Sequence, residues 1–553
     1  MTSASARKFV IRVREGGGVL RVYAPFDLLE LSRSMGGKWN KKEKSWDVAA
    51  TVGGVRRIME TFAGHDVSGD APFEALLHAS RSAEEATYCK TAALEELEQP
   101  AIRGTEAWLH QVRGYHFAMG LDASLLAMAM GTGKSKTAID LCQNSGGNRF
   151  LILCPKSVVR VWPGEIQRHS ADSWNPEVLP LDKGGVKSRA GEAWKRLKAQ
   201  DGRPVVVVLN YESAWREPMA SLLLGVMWDA VIYDESHRIK APQGKASKFC
   251  ASLFRHSKKR IALTGTPLPH SPLDAYGQFR ALDPGIFGNS FVAFRARYAV
   301  MGGYGGHQVT GYQHVKDFYQ KFYSIAYRVP KEVLDLPPYT HVVRTCELEP
   351  SARKIYAALE SDLWVGLDNG EITASNALVK LLRLAQLTGG TLETDDKREV
   401  EVSGAKAALL EEIMGDMEVE EPIAVFARFR RDLDRIHAVA GRLGRKSFEL
   451  SGRRNELADW QRDKGGSVLA VQEQAGGVGI SIVRARYCIY YSVGYSLGDY
   501  EQSLARIHRP GQDRPVLYVH LLAEDTVDER VYQALDARRD VVETILEGGK
   551  RRK

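Results

Sequence analysis

Five short stretches in the first half of the chain are apolar almost without interruption: ASLLAM, RFLILCP, PVVVVLNY, DAVIYDE and RIALTGTP. A strand with one wet face alternates apolar and polar residues, because successive side chains point to opposite sides. Runs that do not alternate suit strands buried on both faces, in a parallel sheet covered by helices. A second series begins near residue 422, with PIAVFARF, KSFELSG, SVLAVQEQ, YCIYYS and VLYVHLL. The pattern predicts an α/β protein with two parallel-sheet lobes, at 101–289 and 406–540. The intervening stretch, 290–405, is rich in aromatic and helical segments and reads as a helical insertion and inter-lobe linker. Its glycine-rich loop is MGGYGGHQVTGY.

The ends of the chain read differently. Residues 1–65 predict a small α+β module: strands at FVIRV and VLRVYAP around the turn EGGG, a helix at FDLLELSRSM, a loop and short strand in GGKWNKKEKSWDV, and a closing helix at VGGVRRIMETF. Residues 66–100 are mixed and acidic in clusters and read as a helical connector; 541–553 is a basic tail. No apolar run approaches the roughly 18 residues of a membrane span. The six cysteines are scattered, without a CxxC pair, which argues against a zinc site and for a reducing compartment. A formal net charge of +8 favours a polyanionic partner without identifying one.

The chemistry concentrates at a few turns. MAMGTGKSKTAI follows an apolar run and opens a helix. In it Gly131, Thr132 and Gly133 would let backbone N–H groups close on a phosphate. Lys134 would reach the terminal phosphates and Ser135 would ligate Mg²⁺. The strict motif wants glycine where Met128 stands, and a glycine turn capping a core helix fits the same letters. About a hundred residues on, VIYDESH ends a strand in two adjacent carboxylates, Asp234 and Glu235. Such a pair is costly to desolvate unless a metal and a reacting phosphate offset it. Asp234 would then serve the Mg²⁺ and Glu235 the attacking water; a solvated turn is the alternative. Gln111 suits an amide that reads an adenine edge. LTGTPLPH is a strand ending in a turn that could couple a phosphate site to the rest of its lobe. In YEQSLARIHRPGQ, Arg506 and Arg509 are three residues apart. On one helical face they would serve as arginine fingers or as a solvated basic stripe.

Together Gln111, MGTGKS, DESH, LTGTP and QSLARIHRPGQ occur in the order seen in superfamily-two helicases. The pattern resembles the Swi/Snf-type ATPases, which move along double-stranded DNA. LILCPKSVVRVWPGEIQRH, VVVLNYES, YRVPKEVLDLPP, LLRLAQLTGG and VQEQAGGVGISI resemble further segments of that branch, so the likeness runs from about 104 to 535. The resemblance implies two RecA-like lobes and ATP with Mg²⁺ as cofactors. It implies Gln111 at adenine, Lys134 and Ser135 at phosphate and Mg²⁺, Asp234 and Glu235 at metal and water, and Arg506 and Arg509 acting from lobe two. Lys156, Ser157, Thr264, Gly477 and Gly479 fall where the family contacts the DNA backbone or couples it to ATP; Gly479 is also expected at the nucleotide. Ser481 stands where the family tends to have Asn. GGKWNKKEKSWDV resembles the HARP domain of annealing helicases. There Lys38, Lys41, Lys42 and Lys44 beside Trp39 and Trp46 offer charge and a stacking surface for DNA, or else the tryptophans are core and the lysines a rim.

The expected function is an ATP-dependent duplex DNA translocase that remodels forked or branched DNA by fork regression, branch migration or strand annealing, in replication, recombination or repair. The expected partners are DNA and replication or repair proteins, with no membrane and a monomer on the DNA. A bacterial or phage origin would place it in the cytoplasm, a eukaryotic one in the nucleus. A strand-separating DNA or RNA helicase, an ATP-gated scaffold and the motor subunit of a larger assembly are the rival readings.

Overall fold

The computed structural model describes residues 9–16, 19–29, 32, 35, 37–62, 65–77, 105–199, 202–269, 271–302, 308–368, 374–393, 398–473 and 480–535. Two compact units divide the chain, one within Met1–Val333 and the other within Leu334–Leu546.

The first unit opens with a five-stranded sheet: β1 (Val10–Glu15), β2 (Val19–Tyr23), β3 (Lys38–Asn40), β4 (Ser45–Ala49) and β5 (Asp66–Gly69), in the order β3-β4-β2-β1-β5. Ile11, Val13, Leu20, Val22 and Val48 face a core closed by Val55, Ile58, Phe62 and Phe73. The period-two pattern of VIRVRE and VLRVY sets that face, as alternation requires. β5 pairs in parallel with β1, so the sheet runs past residue 65, where the sequence reading closed the module; Phe73 and Leu77 of the expected connector belong to its core. The signal was weak because DVSG is short and half exposed. GGKWNKKEKSWDV forms two paired strands, β3 and β4, rather than a loop and one strand. Of FDLLELSRSM, a 3-10 turn at Phe26–Leu28 is described.

Lobe one is a seven-stranded sheet, every neighbouring pair parallel. Its strands are β6 (Ala123–Met128), β7 (Arg149–Cys154), β8 (Glu177–Pro180), β9 (Val205–Asn210), β10 (Trp228–Asp234), β11 (Ser257–Thr264) and, after a hairpin of β12 (Ala299–Gly302) and β13 (Gln308–Tyr312), β14 (Ala326–Val329). The order is β14-β6-β11-β10-β7-β9-β8. All six residues of β6 and of β9 are buried, as unbroken apolar runs demand. The stretch 290–405 is therefore not a separate insertion: Tyr327 and its neighbours supply an edge strand to lobe one.

The N-terminal sheet is joined to lobe one by a buried seam. Thr51 Oγ1 donates to Asp283 Oδ1 at 2.6 Å. The Arg57 guanidinium donates to Met35 O at 3.0 Å, to Pro284 O at 2.9 Å and to Gly285 O.

The second unit holds β15 (Tyr339–Cys346), a short pair β16 (Thr391–Glu393) and β17 (Glu399–Glu401), then β18 (Ile423–Ala427), β19 (Ser447–Leu450), β20 (Val468–Gln472), β21 (Tyr487–Tyr490) and β22 (Val516–Ala523). Six of these form a parallel sheet in the order β15-β22-β21-β18-β20-β19. β15 again comes from the stretch read as linker, and the helices Pro350–Asp368 and Ala374–Thr388 come from it too. The connector from 78 to 100 and the tail lie outside the described residues.

Candidate nucleotide site

Parallel strands end together, so the loops after β6, β7, β10 and β11 gather at one edge of the lobe-one sheet, where such sheets bind ligands. Met128, the residue that departs from the P-loop pattern, is the last of β6 and fully buried. Its side chain belongs to the core, and the glycines do their work further on. Gly131 and Gly133 have φ of +84° and +86°, the region a side chain resists. At Gly133 a Cβ would come within 2.1 Å of Gln111 Nε2. The helix Lys134–Gln143 opens immediately after, so its first N–H groups face the turn. The Lys134 ammonium is folded back onto that turn, donating to Met128 O at 2.9 Å and Ala129 O at 3.2 Å. Ser135 follows it, partly exposed.

Gln111 is buried and committed to protein. Its Nε2 donates to Thr132 O at 3.0 Å, and its Oε1 accepts from Trp108 N at 3.1 Å. His110 Nε2 lies 2.8 Å from the same carbonyl. Gln111 thus braces the turn.

β10 delivers Asp234 and Glu235. Asp234 is 4 % and Glu235 1 % exposed. Trp162 Nε1 donates to Asp234 Oδ2 at 3.0 Å, and Tyr211 Oη donates to the Asp234 carbonyl at 2.8 Å. Glu235 sits at φ +50°, a strained value for a side chain of this length and the kind found at functional turns. Its Oε2 is 3.3 Å from His237 Nδ1, and that nitrogen is 3.2 Å from Thr264 Oγ1. Thr264 Oγ1 also accepts from Thr266 N at 3.1 Å. Thr264 is fully buried, so it connects the acids to the LTGTP turn rather than facing a backbone outside. Gly265 of that turn would bring a Cβ within 3.3 Å of Met130, beside the glycine turn.

The two carboxyls are pushed apart in acidity. Burial, then the charge of Glu235, raises Asp234 above the usual carboxylate range. Burial opposes ionisation of Glu235 too, but the His237 hydrogen bond and then the Lys134 and Arg238 charges hold it below its ordinary value. The ionised form is therefore favoured at Glu235 over Asp234.

Do these residues fit a nucleotide and Mg²⁺? Glu235 Oε1 is buried with no hydrogen-bond partner, an acceptor that a water would complete. Two carboxylates and a serine hydroxyl are hard oxygen donors, too few for a closed metal cage. Mg²⁺ is commonly held by just such a set together with phosphate oxygens. The residues fit.

Lys156 and Ser157 are exposed on the 3-10 turn Lys156–Val158 after β7, at the same edge of the sheet. In the N-terminal module Lys38, Lys41, Lys42 and Lys44 are exposed. Trp39 is 43 % exposed, and Trp46 packs partly against the core with ring centres 5.3 Å apart. The two alternatives for the tryptophans divide between them.

Lobe two corrects one argument. The helix Leu497–Leu504 ends before Arg506 and Arg509, which lie in the following turns ahead of Pro510 and Gly511. They do not share a helical face, because proline and glycine stop the helix. Arg506 is 4 % exposed, its guanidinium 5.9 Å from the Phe426 ring centre; burial lowers it to about 10. Arg509 Nη1 donates to Ile480 O at 3.1 Å. Gly477 and Gly479 lie outside the described residues. Trp162, Tyr211 and His237 are site residues that motif reading passed over. A tryptophan inside an apolar segment reads as core, and only the register of β7 beside β10 brings it to Asp234.

Lobe one is that of a P-loop nucleoside triphosphatase: an all-parallel sheet, a glycine turn closing on a lysine, and two buried acids at the end of β10, with β11 between it and β6. The family model of the SNF2-related domain matches residues 110–389, just over half of the chain, and the chain belongs to that family. It is an ATP-hydrolysing enzyme. It is 28% identical over 450 residues to protein p41 of Acyrthosiphon pisum secondary endosymbiont phage 1, spanning 76% of this chain and 94% of that one. It is 25% identical to zebrafish (Danio rerio) chromodomain-helicase-DNA-binding protein 1-like. To human SWI/SNF-related matrix-associated actin-dependent regulator of chromatin subfamily A member 1 it is 24% identical. The chain spans less than half of these two, 42% and 45% of their lengths. Among solved structures, the Sulfolobus solfataricus SWI2/SNF2 ATPase core in complex with dsDNA is 22% identical, with a TM-score of 0.39. The match covers 82% of this chain and 96% of that one.

Proposed function

We propose that the protein is an ATP-driven translocase on double-stranded DNA whose N-terminal module directs it to forked or branched DNA, for regression, branch migration or annealing. The observation that carries the motor reading is the buried Asp234–Glu235 pair at the same sheet edge as the Gly131–Ser135 turn, with Glu235 held as a base by His237.

In this reading Lys134 exchanges its two carbonyl partners for phosphate oxygens. Ser135 and Asp234 would hold Mg²⁺, which when bound would neutralise phosphate charge. Glu235 takes the proton of the attacking water, and His237 keeps its carboxylate in place. Lys156 and Ser157 meet the DNA backbone, which makes binding largely independent of base sequence. The exposed Lys38–Lys44 hairpin with Trp39 supplies the second DNA contact: ammonium groups for phosphates and an open ring for an unpaired base. Its attachment to lobe one through Thr51 and Arg57 supports a fixed rather than tethered role.

The test is steady-state ATPase activity with no nucleic acid, and with duplex, forked and single-stranded DNA and RNA. Duplex or forked DNA should stimulate turnover. Lys134→Ala and Glu235→Gln should each lower it by at least about 100-fold, with Glu235→Gln still binding nucleotide. Stimulation chiefly by single strands or RNA would replace this reading with a strand-separating helicase. DNA binding without turnover would replace it with an ATP-gated scaffold. Equal stimulation by fork and linear duplex would remove the fork assignment.

A further inference from the structure

Trp162 is 1 % exposed and opens the helix Trp162–His169. A buried indole N–H must find an acceptor, and a core position for an aromatic ring is more simply filled by phenylalanine. Here the acceptor is Asp234 Oδ2, 72 residues away in sequence, at 3.0 Å. That bond fixes one carboxylate oxygen of Asp234, and the Glu235 backbone N–H also donates to the same carboxyl. Six residues before Trp162 stands Lys156, on the exposed turn that follows β7.

The segment between them is stiff. Val158 N donates to Pro155 O at 2.9 Å, Val159 N to Lys156 O at 3.4 Å, and Val161 N to Val158 O at 2.9 Å. Val158 and Val159 are buried at 3 % and 0 % exposure, pinning the turn to the core. β7 pairs with β10 in parallel through Leu153 and Tyr233, so the turn and Asp234 leave adjacent strands at the same edge. A load on the Lys156–Ser157 turn has a short, hydrogen-bonded path to the carboxylate and few soft joints to absorb it.

We propose that Trp162 is a positioning residue that couples the exposed Lys156–Ser157 turn to Asp234, so that DNA backbone contact at the turn and Mg²⁺·nucleotide binding at the acid strengthen each other. The DNA half of this inference rests on the duplex-translocase reading; the Trp162–Asp234 half does not. Coupling of this kind is reciprocal: what DNA does to nucleotide affinity, nucleotide does to DNA affinity.

The experiment is equilibrium binding of a fluorescent ADP analogue to the full chain. It is titrated with Mg²⁺ or EDTA, with and without linear duplex DNA, in the wild type, Trp162→Phe and Lys156→Ala. In the wild type, DNA should tighten Mg²⁺-dependent binding by about fivefold or more, the lower end of ordinary coupling. Trp162→Phe keeps the ring and removes the donor. It should leave binding in EDTA unchanged, cut the Mg²⁺-dependent gain severalfold and reduce the DNA effect to within about twofold. Lys156→Ala removes the exposed ammonium of the turn and should reduce the DNA effect to within about twofold. A Trp162→Phe protein with undiminished Mg²⁺ gain and DNA effect would overturn the proposal and leave Trp162 a core residue. Wild-type protein that binds DNA with no change in nucleotide affinity would overturn the coupling. Failure to bind duplex DNA at all would instead defeat the translocase reading, while the Mg²⁺ arm would still decide the Trp162–Asp234 role.

Discussion

At residue scale, three buried acids among the described residues carry distinct environments. Burial, then the charge of Glu235, raises Asp234 although the Trp162 hydrogen bond acts against that rise, while His237 holds Glu235 low against its own burial. Glu473, at the end of β20, is the counterpart in lobe two. It is 4 % exposed; its Oε2 accepts from Gly494 N at 2.9 Å, and burial, then the charge of Asp499, raises it to about 7. Its folded pKa lies above the unfolded one, so the native state holds the extra proton between roughly pH 4.5 and 7. Stability therefore falls as pH rises through that window, and the penalty is complete above 7. The rise corresponds to about 3 kcal/mol. Glu473→Gln keeps the acceptor and removes the charge. It should melt higher than wild type at pH 8 and show a flatter pH dependence in thermal melts. Equal pH dependence in both proteins would refute this.

At the scale of elements, the seam between the N-terminal sheet and lobe one decides whether residues 9–77 act as part of the motor. Arg57 is 9 % exposed and crosses that seam to two carbonyls, while Thr51 binds Asp283 on the other side. Hydrogen bonds from a charged donor contribute about 1.5–3 kcal/mol each. Arg57→Ala should thus weaken the module by about 2–4 kcal/mol, read as faster hydrogen exchange in β1 and β4 with the lobe-one strands unchanged. Exchange rates identical to wild type would mean the seam contributes little. The same scale explains the misread boundaries. DVSG and AYRV are four-residue strands, too short to show a period, and each exists because a longer neighbour, β1 or β6, offers an open edge.

For the whole molecule, the formal net charge of +8 becomes useful once it has places. Lys38, Lys41, Lys42 and Lys44 stand exposed on one hairpin, and Lys156 on the lobe-one edge. Each phosphate neutralised releases a counterion, so log affinity should fall linearly with log salt. Lys41→Ala with Lys42→Ala should reduce that slope by about 1–2, and more on forked than on linear DNA. A slope unchanged by both substitutions would take the hairpin out of the DNA interface. Among the described residues no helix is long and apolar enough to cross a membrane.

What the sequence determined by itself was local and repetitive. Unbroken apolar runs announced ten of the strands of two parallel sheets, because burial on both faces leaves no other pattern. The glycine turn and the acid pair announced their chemistry because backbone conformation and charge are written in single residues. Tertiary structure decided what depends on neighbours far along the chain. It set Gln111 against Thr132, Trp162 against Asp234 and Thr264 against His237. It split the tryptophan pair into one exposed ring and one packed ring, and it ended the helix short of Arg506. It also gave two strands of the presumed linker to two different sheets. Those outcomes rest on register and on which open edge is within reach, and neither is encoded at any one position.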